Sequence, residues 1–390
     1  MKYGLMSYGY LDNLGNEIQS IAARRFLPKV DYFVDFNNLS LFQDADEKFK
    51  MFMNAWYLHE EKSWPPKTEF IDPLLISMHL NINGKYGSKS FLSEESRDFL
   101  LKYGPVGARD PATRDFFLDN DIPSYCSGCM TLTLKGNGKK DLSPKDEYIV
   151  LVDVSDEVES YIRSKTDKKI FNVSHQLPID LNRRNKKYIK MQYMYDRVFN
   201  EDEKFLIAEN LLNLYENASC VITKRLHVAL PCLSLNTPVM VLSDDIINGE
   251  KRFSGLNELF RFYTFDEYKE NFNIFDVNNP EENSKDYLKY RKPLIKKAKE
   301  FTGYESETYH TFDSGNIDSI KINNYLFSKA IKSLKEKDQL FLNLEKEHFD
   351  ELNSIKNKNI EQEKIINEFK TSTSWKLTKP LRNLKNNIKK

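Results

Sequence analysis

Residues 148–154, Tyr148-Ile149-Val150-Leu151-Val152-Asp153-Val154, form an almost continuous apolar run, and no other segment constrains the fold as strongly. A strand with no polar alternation has both faces buried, which is the situation inside a parallel sheet. Parallel strands need crossover connections, usually helices, so the flanking sequence must alternate between strand and helix patterns. It does. Helical patterns at 156–165 and 201–215 alternate with strand-like runs at 170–173, 220–223 and 239–243. The first 140 residues repeat the alternation. A strand is expected at 3–7. The turn Asn13-Leu14-Gly15-Asn16 then caps a helix with Ile18, Ile21, Ala22 and Phe26 on one face, ended by Pro28. Strands follow at 32–36, 52–58 and 74–79. A helix over 93–102 is stopped by Gly104-Pro105. A short strand at 106–109, a helix opened by Pro111 and running through Leu118, and a strand from Pro123 complete this part.

The chain has 390 residues. At about 100 to 200 residues per domain, that gives two domains or slightly more. The break Lys135-Gly136-Asn137-Gly138-Lys139-Lys140 divides them. The economical architecture is α/β, with two Rossmann-like domains, 1–140 and 141–317, facing each other across a cleft. Ligands of open parallel sheets bind beyond the carboxyl ends of the strands, so functional residues are expected in the loops there.

Two further segments follow. Residues 318–370 lack Gly and Pro and carry an incomplete heptad seam interrupted by Asp338, Glu345, His348, Asn359 and Gln362. This pattern gives a weak coiled coil that either forms a homo-oligomer or folds back on the body. Residues 371–390 hold six cations, Lys376, Lys379, Arg382, Lys385, Lys389 and Lys390, without an acid, so 371–390 carry +6 and 1–370 carry −6. Trp375, Leu377, Leu381, Leu384 and Ile388 are interleaved with those charges. Such a mixture suits an anionic membrane surface, and a solvated terminus is the alternative.

Composition excludes several classes. Aromatic residues at 13% and hydrophobic residues at 40% supply real cores, which rules out a wholly disordered chain despite 30% charged residues. The balance of 58 basic against 58 acidic residues argues against a nucleic-acid binder. There is no run of about 18 uncharged apolar residues and no leader pattern at the start. Four cysteines are too few for a disulfide scaffold and point to a reducing cytoplasm.

Chemistry concentrates in Val221-Ile222-Thr223-Lys224-Arg225-Leu226-His227-Val228-Ala229-Leu230-Pro231. An apolar strand ends in a hydroxyl residue, two cations and a histidine where a helix begins. The N–H groups at a helix N-terminus attract anions, and Lys224, Arg225 and His227 add positive charge. Arg225 can grip a carboxylate or phosphate through two parallel bonds, which a lysine cannot do. The alternative is a surface arginine beside a capping histidine.

Arg225-Leu226-His227 after an apolar strand resembles the signature of the polysaccharide pyruvyl transferase family. Other segments are similar in order and spacing. Asn13-Leu14-Gly15-Asn16-Glu17-Ile18-Gln19, with Ala22 and Phe26-Leu27-Pro28, looks like the family's first turn and helix. Val106-Gly107-Ala108-Arg109-Asp110 with Ala112-Thr113 looks like its mid-domain strand and arginine turn, and Cys129-Met130-Thr131-Leu132-Thr133-Leu134 like the end of its first domain. The resemblance spans roughly 1–245. It implies a GT-B-like fold and transfer of a pyruvyl group from phosphoenolpyruvate to a sugar hydroxyl, with no cofactor. Arg225, Leu226 and His227 correspond directly to the family's donor-binding segment; Arg109 is assigned as its N-domain arginine and His79 as its N-domain histidine. The early His-Gly-Gly stretch of many relatives is replaced here by Asn54-Ala55-Trp56-Tyr57.

That chemistry needs an acid for the methylene carbon and a base for the sugar hydroxyl. His227 fits the acid or a phosphate binder. Asp110, Asp153 and Asp244 each follow a strand and are open for the base, although a strand-end Asp commonly caps a helix. Partners implied are a saccharide acceptor, lipid-linked, nucleotide-linked or free, and the membrane surface reached through 371–390.

Other patterns are weaker. Cys126-Ser127-Gly128-Cys129 lacks further ligands for a metal, so packing is expected. His59, His175, His310 and His348 have no matching carboxylate or thiol pattern and read as surface or structural. Glu250 and Glu258 have the spacing of some nucleotide-sugar glycosyltransferases, the rival enzyme class. A membrane-assembly scaffold is the non-enzymatic rival.

Overall fold

The computed structural model of the protein describes residues 1–8, 11–57, 64–82, 90–136, 147–177, 179–180, 196–197, 201–243, 253, 255–306 and scattered positions from 358 to 372. The chain is mixed α/β with parallel sheets. It divides into two compact units, 1–331 and 332–390.

In the first half, β1 (Lys2–Ser7), β2 (Tyr32–Asp35), β3 (Phe49–Phe52) and β5 (Ile71–Leu74) form a parallel sheet in the order β2-β1-β3-β5. Beyond β3 and β5 lie the short parallel strands β4 (Trp56–Tyr57) and β6 (His79–Leu80). The sheet continues through a bridge from Met78 to Ala108 and a bond from Gly107 N–H to Leu75 O, which bring in β7 (Val106–Ala108) and β8 (Ser124–Cys126). Helices α1 (Gly15–Arg24), α2 (Glu94–Tyr103) and α3 (Pro111–Leu118) connect these strands. Ser93 caps α2, accepting from Ser96 N–H, and Asp110 caps α3, accepting from Thr113 N–H, with Pro111 in the first turn.

The second half is a five-stranded parallel sheet. Its strands are β9 (Tyr148–Val152), β10 (Lys169–Val173), β13 (Cys220–Thr223), β14 (Val239–Leu242) and β15 (Arg261–Tyr263), in the order β10-β9-β13-β14-β15. The pair β11 (Ile179–Asp180) and β12 (Asp196–Arg197) is antiparallel. Helices α4 (Asp156–Arg163), α5 (Glu201–Asn217), α6 (Leu226–Ser234), α7 (Phe265–Glu270) and α8 (Leu288–Thr302) complete it. Every residue of β9, β13 and β14 is buried, as the unbroken apolar runs require.

One apolar cluster joins the sheets. Ile18 and Ile21 of α1 pack in it with Met130 and Leu132, Leu211 of α5, Val228 of α6, and Val150, Val152 and Val221. α8 leans on the first half: Arg291 Nη1 donates to Leu132 O at 2.6 Å and Leu134 O at 2.7 Å, and Tyr3 Oη donates to Thr302 O at 3.1 Å.

Several expectations shift. Residues 52–58 and 74–79, read as single strands, are each split in two, and both begin earlier than the apolar runs. The second break falls where Ser77 takes a left-handed conformation, φ 53. α1 ends at Arg24 rather than at Pro28, because Phe26 and Leu27 turn back onto Ala23 O and Arg24 O. Glu258 sits in a 3-10 turn, Asn257–Leu259. Apart from Gln362, which is helical and exposed, the heptad seam lies outside the described residues, as do nearly all of the basic tail, Glu250, Asp244, His59, His310 and His348. Among the described residues, no helix is long and apolar enough to cross a membrane.

Candidate functional site

In each sheet the first strand has the second on one side and the third on the other. Chains leaving neighbouring strands in opposite directions open a crevice at such a point. In the second sheet it lies between β9 and β13. Asp153 follows β9, and Arg225 lies two residues past β13.

Thr223 Oγ1 donates to Val152 O at 3.2 Å and accepts from Arg225 N–H at 3.0 Å, which fixes the turn after β13. Arg225 is then the N-cap of α6, with extended backbone and no side-chain cap. Asp153 is left-handed, φ 54, a conformation Asp tolerates better than most residues. Its Oδ2 accepts from Arg225 Nε at 2.8 Å and from His175 N–H at 3.1 Å, and Ser174 Oγ donates to its Oδ1. Burial alone would raise this carboxyl, but the Arg225 charge and these bonds hold it below the usual carboxylate range.

The first half contributes through strand register. β4 pairs with β6 so that Trp56 is opposite His79, their rings 5.9 Å apart. Arg109 N–H donates to Met78 O at 2.7 Å, placing Arg109 beside His79. Both side chains are buried, at 2% and 7% exposure for Arg109 and His79. Asp110 Oδ2 is 2.5 Å from His79 Nδ1 and 3.5 Å from Arg109 Nε.

These residues converge. His79, Arg109, Arg225, Leu226 and His227 line one pocket, together with Asn13, Asn16, Trp56 and His175. Lys224 is exposed and is not among the lining residues. The loop after β1 reaches the pocket because it is fastened to the loop after β10: Leu14 N–H donates to His175 O at 2.9 Å, and Leu177 N–H to Asp12 O at 2.7 Å. Gly15 permits the approach. A Cβ there would sit 3.1 Å from both Cβ and Nδ1 of His227. A buried ion pair adds to the fastening, with Lys204 Nζ of α5 2.5 Å from Glu17 Oε1 of α1.

Four lining residues escaped the sequence reading as ligand contacts. Asn13 and Asn16 read only as a turn, and Trp56 only as a departure from a motif. His175, read as surface or structural, is fully buried with Nε2 2.8 Å from Tyr215 Oη. It lies two residues beyond β10, where the strand-end rule applies, and that was the available signal.

The competing patterns contribute nothing to this pocket. Cys129 is buried and receives a bond from Thr131 Oγ1 at 3.1 Å; Cys126 is half-buried; burial pushes both thiols up. Among the described residues, no group of three His, Cys, Asp or Glu side chains is placed to hold a metal. Glu258 is exposed and away from the pocket lining.

The parallel α/β fold thus brings an arginine from each of two sheets to one pocket. The chain belongs to the polysaccharide pyruvyl transferase family, whose model matches residues 13–246, more than half of its length. No curated protein matches it. Among solved structures, a functionally uncharacterized protein from Klebsiella pneumoniae subsp. pneumoniae NTUH-K2044 is 14% identical, with 67% of this chain and 93% of that one covered and a TM-score of 0.38. The wall teichoic acid polymerase TagF is 13% identical, with 86% and 90% covered and a TM-score of 0.33. With TM-scores below 0.5, neither likeness bears on function.

Proposed function

We propose that the protein transfers a pyruvyl group from phosphoenolpyruvate to a sugar hydroxyl of a cell-surface polysaccharide or its precursor, giving a pyruvate ketal. Two Rossmann-like halves, 1–140 and 141–317, would then face a cleft as in GT-B enzymes. One observation carries the reading: Arg109 from the first sheet and Arg225 from the second reach the same pocket as His79 and His227. Phosphoenolpyruvate has two anionic ends, a carboxylate and a phosphate, and two arginines on separate scaffolds offer one cation to each.

Reaction proceeds by adding a proton to the methylene carbon, which makes the adjacent carbon electrophilic. A sugar hydroxyl forms a C–O bond there and gives its proton to a base. The C–O bond to phosphate breaks, phosphate leaves with the electron pair, and a second hydroxyl closes the ketal with loss of its proton. His227, which lines the pocket, is the residue we assign to supply the first proton or to bind phosphate. Phosphate release from phosphoenolpyruvate in the presence of lipid-linked and free oligosaccharides tests the reading; nucleoside diphosphate release from sugar nucleotides instead would replace it with glycosyl transfer.

Arg225→Lys separates grip from charge. Because Nε is committed to Asp153, the grip on a ligand falls to the terminal nitrogens, and lysine can reproduce neither arrangement. Donor affinity should fall at least about tenfold, or about 1.4 kcal/mol. Calorimetry showing equal affinity would remove Arg225 from the donor site.

The basic tail gives this reading its cellular setting, a cytoplasmic enzyme peripheral to a membrane. Each Lys or Arg near an anionic leaflet contributes about 1 kcal/mol, so removal of 371–390 should lower binding to anionic vesicles and activity on a lipid-linked acceptor, but not on a soluble one. Attachment should weaken as salt rises. Equal vesicle sedimentation of truncated and full-length protein at low salt would end this part of the proposal.

A further inference from the structure

Asp110 is fully buried and does three things at once. Its Oδ1 accepts from Thr113 N–H at 2.9 Å as the cap of α3, its Oδ2 lies 2.5 Å from His79 Nδ1, and the same oxygen is 3.5 Å from Arg109 Nε. An ionised carboxylate only accepts hydrogen bonds, so the hydrogen in the contact with His79 belongs to the imidazole. Thr113 Oγ1, which accepts from Leu80 N–H at 3.2 Å, is 3.3 Å from the same nitrogen and closes this side of the ring. A ligand in the pocket must therefore address His79 at Nε2.

Charge in the pocket points the same way. Its two arginines each lie beside a carboxylate, Arg109 with Asp110 and Arg225 with Asp153, so the pocket offers an anion less net positive charge than two isolated arginines would. A ligand with two anionic ends is therefore held more strongly if a histidine adds positive charge to that of the arginines. Of the histidines lining the pocket, His175 is held neutral by burial, its value pushed down to about 4. His79 has a buried carboxylate on its far edge to balance an added proton.

We propose that Asp110 is a positioning residue that fixes His79 with hydrogen on Nδ1, so that His79 meets the donor through Nε2 and takes up a second proton there when the anion binds. Among the described residues, the groups facing the ring include Asp110 and Thr113 of α3, Arg109 at the end of β7 and Trp56 of β4, with Arg225, His175 and His227 lining the same pocket. Arg109 opposes the added proton, Asp110 favours it, and direct contact gives Asp110 the larger effect. The uptake step rests on the phosphoenolpyruvate reading; the tautomer does not.

The experiment is nitrogen NMR of histidine-labelled protein without ligand, with His79 assigned by the signal lost in His79→Gln. The expected result is hydrogen on Nδ1 of neutral His79, and protonation at a pH lower by about one unit or more in Asp110→Asn. Asparagine keeps an oxygen for Thr113 N–H, so the cap of α3 survives. Hydrogen on Nε2 in the unaltered protein, or an unchanged titration in Asp110→Asn, would overturn the proposal; if the variant does not fold, the tautomer in the unaltered protein decides alone. Calorimetry with phosphoenolpyruvate at pH 7.5, in two buffers of different ionisation heat, should show proton uptake that falls in Asp110→Asn. Binding without uptake overturns the second-proton step. No binding at all overturns the donor reading, while the NMR result still decides the role of Asp110.

Discussion

His227→Ala is expected to lower pyruvyl-transfer turnover by roughly 10² to 10⁴, the range for loss of a general acid, which corresponds to about 2.7 to 5.5 kcal/mol of barrier. Local structure should tolerate the change. His227 is half-buried at the pocket, while Val228, Ala229, Leu230, Cys232 and Leu233 beside it in α6 are fully buried and carry the packing. Its backbone already leaves helical geometry at φ −79 and ψ 17, so it adds little to the helix itself. His227→Asn should restore a polar contact to the ligand but no proton, and so recover donor affinity more than turnover. Steady-state kinetics beside a denaturation curve decides the matter. Near-native turnover in a folded Ala variant would make His227 a structural residue of the first turn of α6.

The central strands were legible because their burial is written into contiguous residues. Cys220-Val221-Ile222-Thr223 has neighbours on both sides and both faces covered, and the strand occupies the segment its apolar run marks. α3 was legible from its cap, Asp110 followed by Pro111. β15 was not, since it lies at the edge of its sheet and its residues Arg261, Phe262 and Tyr263 are only half-buried. α8 was obscured by Pro293 and a narrow buried stripe of Leu294, Ala298 and Thr302 among lysines. The candidate site divides in the same way. Arg225-Leu226-His227 is one contiguous segment and carries its signal locally. Trp56 and His79 become neighbours only through the register of β4 with β6, and His175 meets the loop of Asn13 through the bonds between the two loops, Leu14 N–H to His175 O and Leu177 N–H to Asp12 O. Pairing between distant segments leaves no periodic trace in the sequence.

The burial of His175 should be measurable as acid sensitivity. Burial is the main cause that pushes it from an ordinary 6.5 to about 4; the nearby Arg225 charge lowers it too, and Asp153 acts in the opposite sense. A histidine depressed in the folded state is neutral in both states above pH 6.5, where its full contribution is present. As pH falls below that, the unfolded chain takes up a proton that the folded protein refuses, so stability drops until about pH 4 and then levels off. A shift of this size at 1.36 kcal/mol per unit corresponds to a loss of about 3 kcal/mol. Asp110 and Asp153, both held below 3.8, lose their contributions only at lower pH, so their window does not mask this one. His175→Gln removes the titration while retaining a polar group toward Tyr215. The variant should be less stable at pH 7, where the contact of Nε2 with Tyr215 Oη is disturbed, and the two proteins should converge as pH falls from 6.5 to 4. Chemical denaturation across that range measures the gap. Curves that stay parallel would mean that His175 titrates like an exposed histidine, and that its side of the pocket is open to water.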